Sequence, residues 1–299
     1  MNRARHLRIA VCWSTLLLCA VAGRAADGVS WSKLGFKITK LMVSVRVEVE
    51  AATVATSGLG DAWIDSSDGL AIRPRGRDVL AVRLTTTGAG QSSVLDLWAD
   101  PFDWAALQRS SVQKGSRLKD HRYRGYRFVD RGVFSLTRYP LPGQAGRPAR
   151  EWSEVEEEFL PTPRDEWGRV VDGSTLFWIA STVNPTDPED RAEMRVWLRR
   201  GLFYLTLEPR ELTQIKVDYQ LTSSSGERRV RGLTPVRRYV LAARPLYTDV
   251  PQRSFRFAGL SGDIDVYVDV QTRVPVQVSG SLRTLGRGHL KLKEAVLDP

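Results

Sequence analysis

The stretch Leu41–Glu50 reads LMVSVRVEVE and alternates between two kinds of residue over ten positions. Its odd positions hold leucine or valine, and its even positions after Met42 hold only polar residues. Successive side chains of a β-strand point to opposite faces of the sheet, so a repeat of two predicts a strand with one buried face. This stretch therefore predicts a β-strand and favours a β fold.

A similar alternation returns near the other end of the chain, where Ile264, Val266, Val268 and Val270 are separated by polar residues and Tyr267. Shorter strand-like segments lie between these two stretches, and turn residues such as those at 85–91, 208–209, 223–226 and 272–275 separate them. Short strands at this spacing predict a mainly β fold, namely a curved antiparallel sheet or half-open β-barrel with one or two short helices and a long central loop. The predicted strands are 79–84, 94–98, 123–128, 132–139, 202–207, 214–221, 237–242, 263–270, 276–278 and 290–292.

Two segments carry helix signals. Asp100-Pro101 is a suitable helix start, and a short helix would follow from Phe102 to Leu107. Asp187 and Pro188 begin the better candidate, which would end at Gly201. Its second half also alternates as a strand from Met194 to Leu198, so we favour helix to about Ala192 and leave both structures open beyond it.

The segment from about 140 to 170 interrupts the strand pattern with five prolines and an acidic run. We expect a long surface excursion with one short helix from Glu151 to Phe159. It would be either a linker between domains or a long loop within one β-rich domain that spans residues 26–299. Its acidic residues are Glu151, Glu154, Glu156, Glu157 and Glu158.

The first 25 residues have the layout of a secretory signal peptide. Three arginines precede an apolar run from Ile9 to Ala22, and small residues allow cleavage after Ala22 or Ala25. The run is shorter than the roughly 20 residues of a membrane-spanning helix. These features predict a periplasmic protein that is exported by a cleaved signal peptide and has no transmembrane span after cleavage.

Both cysteines, Cys12 and Cys19, lie in this signal, so the mature chain would have no disulfide and no thiol nucleophile. Leu18 precedes Cys19 where a lipoprotein signal needs a small residue, which argues against lipid anchoring. Cleavage removes four of the 44 basic residues, and the 40 that remain give a net charge of +6 with the 34 acidic residues. This mild excess favours solubility and does not indicate nucleic-acid binding.

The mature sequence offers no recognisable catalytic or metal-binding motif. Its histidines, His121 and His289, each have basic neighbours and read as surface residues. Asp263, Asp265 and Asp269 lack the glycine and final glutamate of a calcium loop. The serine motifs of hydrolases are incomplete, and paired carboxylates stay open because sequence does not fix their separation. We therefore predict no catalytic residue, no metal and no cofactor.

Arginines alternate with aromatic residues from Lys119 to Arg131, and eight of the nine tryptophans follow the signal. In an exported protein, such a patch is either a site for an anionic headgroup or glycan or a solvated strand face. The tryptophans either line an apolar cavity or fill the core. The candidate ligand-binding residues are Arg122, Arg124, Arg127, Tyr126, Trp98 and Trp178.

Three stretches resemble the DUF3108-type family of exported bacterial proteins of unknown function. They are Leu95–Pro101 with Tyr126–Phe128 and Gly132-Val133, then Thr175–Trp178, and finally Ile264–Val270 with Val274–Val276, Gly280 and Leu290–Leu292. The family's fold is similar to the half-open barrel of the periplasmic lipoprotein carriers. The resemblance implies a curved antiparallel sheet with a helix or loop lid around an apolar ligand, and it transfers no functional residues.

These observations favour a non-enzymatic protein that binds an amphipathic or hydrophobic envelope ligand, with arginines at its anionic head. One alternative is a protein–protein interaction or scaffold module of the cell envelope that uses the acidic excursion. A third is a hydrolase with dispersed carboxylates. The scarcity of histidine and cysteine favours binding over catalysis.

Overall fold

A computed structural model describes residues 29–40, 43–59, 62–88, 90–161, 169–198, 201–246, 255–282 and 286–297. The predicted signal peptide, Leu41 and Met42 lie outside these residues. Val43–Glu50, the rest of the first alternating stretch, belongs to a strand.

The described residues are mainly β, as the sequence predicts. They contain a single α-helix, α1 (Leu176–Thr182), and one 16-stranded sheet. The strands are β1 (Trp31–Lys40), β2 (Val43–Ala55), β3 (Asp78–Gly88), β4 (Gln91–Ala99), β5 (Ala106–Lys114), β6 (Arg122–Val129), β7 (Gly132–Tyr139), β8 (Glu154–Pro161), β9 (Val171–Asp172), β10 (Ala192–Leu198), β11 (Gly201–Ser223), β12 (Gly226–Pro245), β13 (Arg256–Phe257), β14 (Leu260–Asp269), β15 (Pro275–Leu282) and β16 (Gly286–Leu297).

The sheet curves and closes partially into a ring. Strands β1 to β8 pair with their neighbours in chain order, and β16 pairs with the free side of β1. The long strand β11 pairs with β12 over most of its length and, near its end, with β16 in parallel. A bridge between Ala105 and Val171 brings the region of β9 beside the start of β5. The sheet is therefore mixed, with antiparallel pairs predominating.

Helix α1 packs against the inner face of this curved sheet. Six of its seven residues are buried. The Phe177 ring stacks on Phe36 of β1 with centroids 5.0 Å apart and contacts Phe257 at 4.6 Å. Trp178 meets Trp31 edge-on at 5.4 Å. Because a buried phenylalanine typically contributes about 3–5 kcal/mol, these contacts hold α1 firmly in the core.

The predicted helix from Phe102 to Leu107 is wrong. Residues 101–103 form a turn in which Asp100 and Asp103 accept hydrogen bonds from backbone N–H groups two residues further on. Such aspartate-capped turns compete with helix formation. Trp104 has a φ of 59°, outside the helical range, and β5 begins at Ala106.

The predicted helix from Asp187 is also wrong, whereas its strand alternative is correct. Asp187 Oδ1 accepts a hydrogen bond from the Glu189 backbone N–H, which forms a turn. Residues 192–198 then form β10 and pair with β11 throughout. Met194 and Val196 are buried by this pairing, so tertiary packing overrides the helix-start signal.

Two further local predictions need correction. The segment Glu151–Phe159 does not form a helix, because Glu154–Pro161 forms β8 and pairs with β7 in antiparallel register. Glu208-Pro209 is not a turn between two strands, because β11 continues through it with a register shift before Leu212. The predicted turn at 223–226 is confirmed between β11 and β12.

Among the described residues, none of the helices combines the length and apolar character needed to cross a bilayer.

Candidate functional site

The two faces of strands β2 to β6 have different surroundings. Val49, Val82 and Leu97 point to the inner face and are buried in the main core. On the opposite, outer face, the register aligns one residue from each strand across the sheet. This outer row consists of Ala52, Ala81, Trp98, Gln108 and Arg127.

Residues 62–77, which we call the cover segment, lie across the outer face of β5 and β6. The Gln108 side chain accepts a hydrogen bond from the Ile64 N–H at 2.5 Å and donates one to the Ala62 carbonyl at 2.8 Å. Further along, Ala71 forms a β-bridge with Val129 of β6. The cover segment is therefore fixed to the sheet by its backbone as well as by side chains.

Arg127 and two tryptophans form the centre of the contact between cover segment and sheet. The Arg127 guanidinium carbon lies 4.2 Å from the Trp63 ring centroid, within the range of a cation–π interaction. The Trp63 ring meets Trp98 edge-on with centroids 4.6 Å apart. Arg127 also donates a hydrogen bond to the Leu107 carbonyl at 3.2 Å. The residue is 8% exposed.

A cleft of about 740 Å³, the arginine cleft, opens on one side of Trp63. Three arginines line it, and Asp78 is the carboxylate in its lining. Burial lowers the pKa of Arg127 to about 10, and the neighbouring positive charge of Arg73 contributes, while Asp65 opposes the shift. Arg127 therefore stays charged at neutral pH. The lining consists of Ala55, Thr56, Ser57, Trp63, Arg73, Pro74, Gly76, Arg77, Asp78 and Arg127.

A second cavity, the Trp98 groove, has a volume of about 720 Å³ and runs over the outer face of β1 to β5. Ala62 of the cover segment and Trp98 of the outer row both line it. Small side chains, Ala52 and Ala81, also contribute to the lining. Its charged residues include Arg83 and Asp96, which pair at 2.6 Å and thereby raise the pKa of Arg83.

The structure brings together only two of the six residues that the sequence proposes as ligand-binding. Arg127 and Trp98 share the outer row, with Gln108 between them. Arg122, Arg124 and Tyr126 point to the opposite face, because they alternate with Arg127 along β6. Trp178 lies on α1 against Trp31, in the core. The six residues therefore do not form one site.

The inner-face residues of β6 take part in contacts within the protein. Tyr126 lies under the Arg109 guanidinium, whose carbon is 5.7 Å from the ring centroid. Arg109 pairs with the fully buried carboxylate of Asp172 at 3.1 Å. Arg122 donates a hydrogen bond to Gln113 Oε1 at 2.9 Å. These contacts join β5, β6 and β9 on the core side of the sheet.

A serine and a histidine meet elsewhere on the sheet. Ser279 Oγ lies 2.8 Å from His289 Nδ1, but Ser279 is fully buried, so no substrate reaches its hydroxyl from solvent. His121 Nε2 lies 3.1 Å from the Gly115 carbonyl and the ring stacks near Trp152. In the part of the chain that the structure describes, no three His, Cys, Asp or Glu side chains are grouped as a metal site requires.

Three residues of the arginine cleft, namely Trp63, Arg73 and Arg77, are not among the site residues that the sequence predicts. The signal was present in the run Arg73-Pro74-Arg75-Gly76-Arg77, where arginines alternate with two turn-forming residues. Its significance depends on the cover segment lying over Arg127, which is distant in the chain. Local patterns do not carry that information.

No family model, no curated protein and no solved structure matches this chain. The resemblance to the DUF3108-type family therefore stays a hypothesis.

Proposed function

We propose that this chain is an exported, non-enzymatic protein that binds an amphipathic or hydrophobic molecule of the cell envelope in the Trp98 groove. The observation that carries the proposal is a groove of about 720 Å³ whose lining combines four alanines and one tryptophan with polar and charged side chains. Cavities that hold small molecules usually measure about 300–1,000 Å³ and are mostly apolar with a few polar groups.

The alanines and the tryptophan of the groove support an apolar part of the ligand. Ala52 and Ala81 are neighbours across β2 and β3, so the sheet surface at this point carries only methyl groups. Trp98, adjacent to Ala81 on β4, provides a partly exposed ring beside them. An aliphatic chain lying on the two alanines would bury its own surface and the Trp98 ring, at about 25 cal/mol for each Å² removed from water.

Charged residues at the groove fit an amphipathic ligand better than a purely apolar one. Lys33, Glu50 and the Arg83–Asp96 pair lie in its lining. These groups keep their hydration or their partners while an apolar chain occupies the alanine surface. A ligand with one polar end and one apolar end meets both requirements.

An uncharged fluorescent probe, N-phenyl-1-naphthylamine, tests the groove. Its emission should rise when it binds the wild-type protein, and Ala81→Leu should weaken binding at least tenfold because the larger side chain fills the groove. Ala242→Leu is the matched control, since Ala242 is exposed on β12 and outside the groove lining. Equal affinity of the wild type and the Ala81→Leu variant, or no binding at all, would overturn the proposal.

The export part of the proposal rests on the first 25 residues. Identifying the N-terminal residue of the protein recovered from its own cells tests this part of the proposal. A chain beginning at Gly23 or Ala26 supports export with cleavage, whereas a chain that retains Met1 or Asn2 in the cytoplasmic fraction contradicts it.

A second candidate function, recognition of another envelope protein, is favoured by the position of β8. Among the described residues β8 pairs only with β7, so it lies at one end of the strand order. Strands of this kind can accept a partner strand. Glu154, Glu156, Glu157 and Glu158 are exposed on it and would select a basic partner.

Replacing these four glutamates with glutamine tests this candidate. An envelope protein that is captured by the wild type, and identified by mass spectrometry, should be lost from the variant while the melting temperature stays nearly unchanged. Retention of the same partner by the variant would exclude the acidic strand as its contact.

A further inference from the structure

We infer that the arginine cleft is a second binding site, and that it takes a phosphate group. The inference goes beyond the proposed function, because the cleft shares no lining residue with the Trp98 groove. It depends on three guanidinium groups and not on the apolar surface.

Arg127 is the main observation, because it is a buried cation with no carboxylate at ion-pair distance among the described residues, although the charge of Asp65 acts on it from further away. Within the described residues it forms no ion pair, and its contacts are the Leu107 carbonyl and the Trp63 ring. One carbonyl accepts from one of the five N–H donors of a guanidinium. Burying a charge costs free energy of desolvation unless the charge is paired. A bound anion would offset the part of this cost that the contacts of Arg127 within the protein do not.

Arg73 and Arg77 support the assignment, because they place two further positive charges near Arg127. These like charges repel one another unless an anion lies between them. Both are exposed, line the same cleft as Arg127 and have no ion pair among the residues that the structure describes. Arg73 is close enough to depress the pKa of Arg127. The three arginines outnumber the carboxylates near them, which are Asp78 in the lining and Asp65, whose charge acts on Arg127, so the cleft keeps a net positive charge. An anion between them would relieve their repulsion.

The donor geometry and charge of the cleft suit a phosphate better than a carboxylate. Guanidinium groups are planar forks that donate paired hydrogen bonds to phosphate oxygens. A phosphate monoester carries close to two negative charges at neutral pH and three acceptor oxygens, so it can pair with more than one of the three guanidinium groups at once. The Ser57 hydroxyl also lines the cleft and has no hydrogen-bond partner within the described residues, so it is a further donor.

The dimensions of the cleft indicate that the phosphate belongs to a larger molecule or is accompanied by water. A volume of about 740 Å³ is in the range of whole small-molecule ligands. Phe102, which is 48% exposed, lies beside Gly76 at the margin. An apolar ring at the margin of a cationic cleft suits a phosphorylated molecule with an apolar part. The phosphate group could come from a lipid headgroup or from free phosphate, and the experiment distinguishes these two sources.

Isothermal titration calorimetry with three probes tests the inference. The probes are inorganic phosphate, dihexanoyl phosphatidic acid, and dihexanoylglycerol, which has the same acyl chains without phosphate. Binding of inorganic phosphate assigns the site to the free ion. Binding of phosphatidic acid at least tenfold tighter than both other probes assigns it to a lipid headgroup. No phosphate-dependent binding by either phosphorylated probe overturns the inference.

Variants establish where the phosphate binds. Arg73→Gln/Arg77→Gln changes only exposed side chains and should weaken phosphate-dependent binding at least tenfold. Arg127→Met should do the same. Arg147→Gln/Arg150→Gln removes the same charge as the double variant from exposed positions outside the cleft and should change binding less than twofold. Equal losses in the two double variants would show a general charge effect and overturn the assignment.

The same probes separate this inference from the proposed function. Dihexanoylglycerol and N-phenyl-1-naphthylamine report on the Trp98 groove, and phosphate reports on the arginine cleft. If the uncharged probes bind and phosphate adds no affinity, the result supports ligand binding in the Trp98 groove and contradicts phosphate binding in the arginine cleft. If inorganic phosphate binds and the uncharged probes do not, the cleft stands and the groove fails.

Discussion

The indole Nε1 of Trp31 donates a hydrogen bond to Ser181 Oγ at 2.8 Å, with both residues fully buried. The bond joins the first residue of β1 to the last turn of α1, which is 150 positions later in the chain. Ser181 Oγ in turn donates to the Phe177 carbonyl at 3.2 Å. The contact therefore fixes α1 against the strand on which the chain begins its fold.

Ser181→Ala should lower the free energy of unfolding by about 1–3 kcal/mol, because it leaves the buried Trp31 N–H without an acceptor. Urea denaturation measures the change. In Trp31→Phe/Ser181→Ala the unsatisfied N–H is absent, so the double variant should lose less than the sum of the single variants. Strict additivity would show that the hydrogen bond does not couple the two residues.

Asp172→Asn should lower the free energy of unfolding by about 3 kcal/mol, because it breaks a buried ion pair and leaves Arg109 without its counter-charge. Asp172 is fully buried and its Oδ1 also accepts from the Ser174 N–H, a bond that asparagine can keep. Guanidinium denaturation measures the loss. Asp218→Asn is the control, since it breaks an exposed pair with Arg229 at 2.7 Å and should have a much smaller effect.

The free energy of unfolding should decrease when the pH is lowered, because His289 becomes protonated more readily in the unfolded chain. The partial loss of hydration lowers the pKa of this exposed histidine below the ordinary value of 6.5, and the positive charges of Lys291, Arg287 and Lys40 add to the shift, while Asp265 opposes it. Above that value the imidazole is neutral in both states, so it contributes nothing. As the pH falls through 6.5, the unfolded chain takes up this proton before the folded protein does, so the free energy of unfolding decreases.

Denaturation midpoints at several pH values test this expectation. His289→Gln removes the titrating group and should flatten the decline that begins near pH 6.5 relative to the wild type. Lys291→Gln keeps the imidazole but removes one charge that lowers its pKa, so it should reduce the decline only in part. Identical pH profiles for the wild type and His289→Gln would contradict the prediction.

Gly132→Ala should disrupt the pairing of β7 with β8. Gly132 has a φ of 154°, and a Cβ there would lie 2.3 Å from the Leu160 carbonyl oxygen. The backbone strain alone costs about 1–3 kcal/mol, and the clash adds to it. Gly143→Ala is the matched control, because Gly143 also has a positive φ but no atom lies within 4 Å of the added Cβ.

Limited proteolysis and urea denaturation report the outcome together. In Gly132→Ala the segment Glu154–Pro161 should become a cleavage site and the unfolding midpoint should fall more than in Gly143→Ala. A Gly132→Ala variant as resistant and as stable as the Gly143→Ala control would show that the β7–β8 contact is looser than its register indicates.

The sequence by itself determined the class of the fold, because alternation is a property of neighbouring residues. Val43–Glu50 and Ile264–Asp269 form strands as their repeat of two predicts. Where a local signal competed with pairing, as after Asp187, the partner strand decided, because β10 gains its hydrogen bonds and burial from β11. Helix α1 had no recognised signal of its own, since its apolar residues are buried on nearly every side.

Only the tertiary structure decided which side chains share a site. Arg124 and Arg127 are three positions apart, but a strand sends them to opposite faces of the sheet. Arg127 instead meets Trp63, a residue 64 positions earlier, because the cover segment folds back over the outer row. Such a meeting depends on the register of β2 to β6 and on hydrogen bonds such as those of Gln108, which no local pattern records.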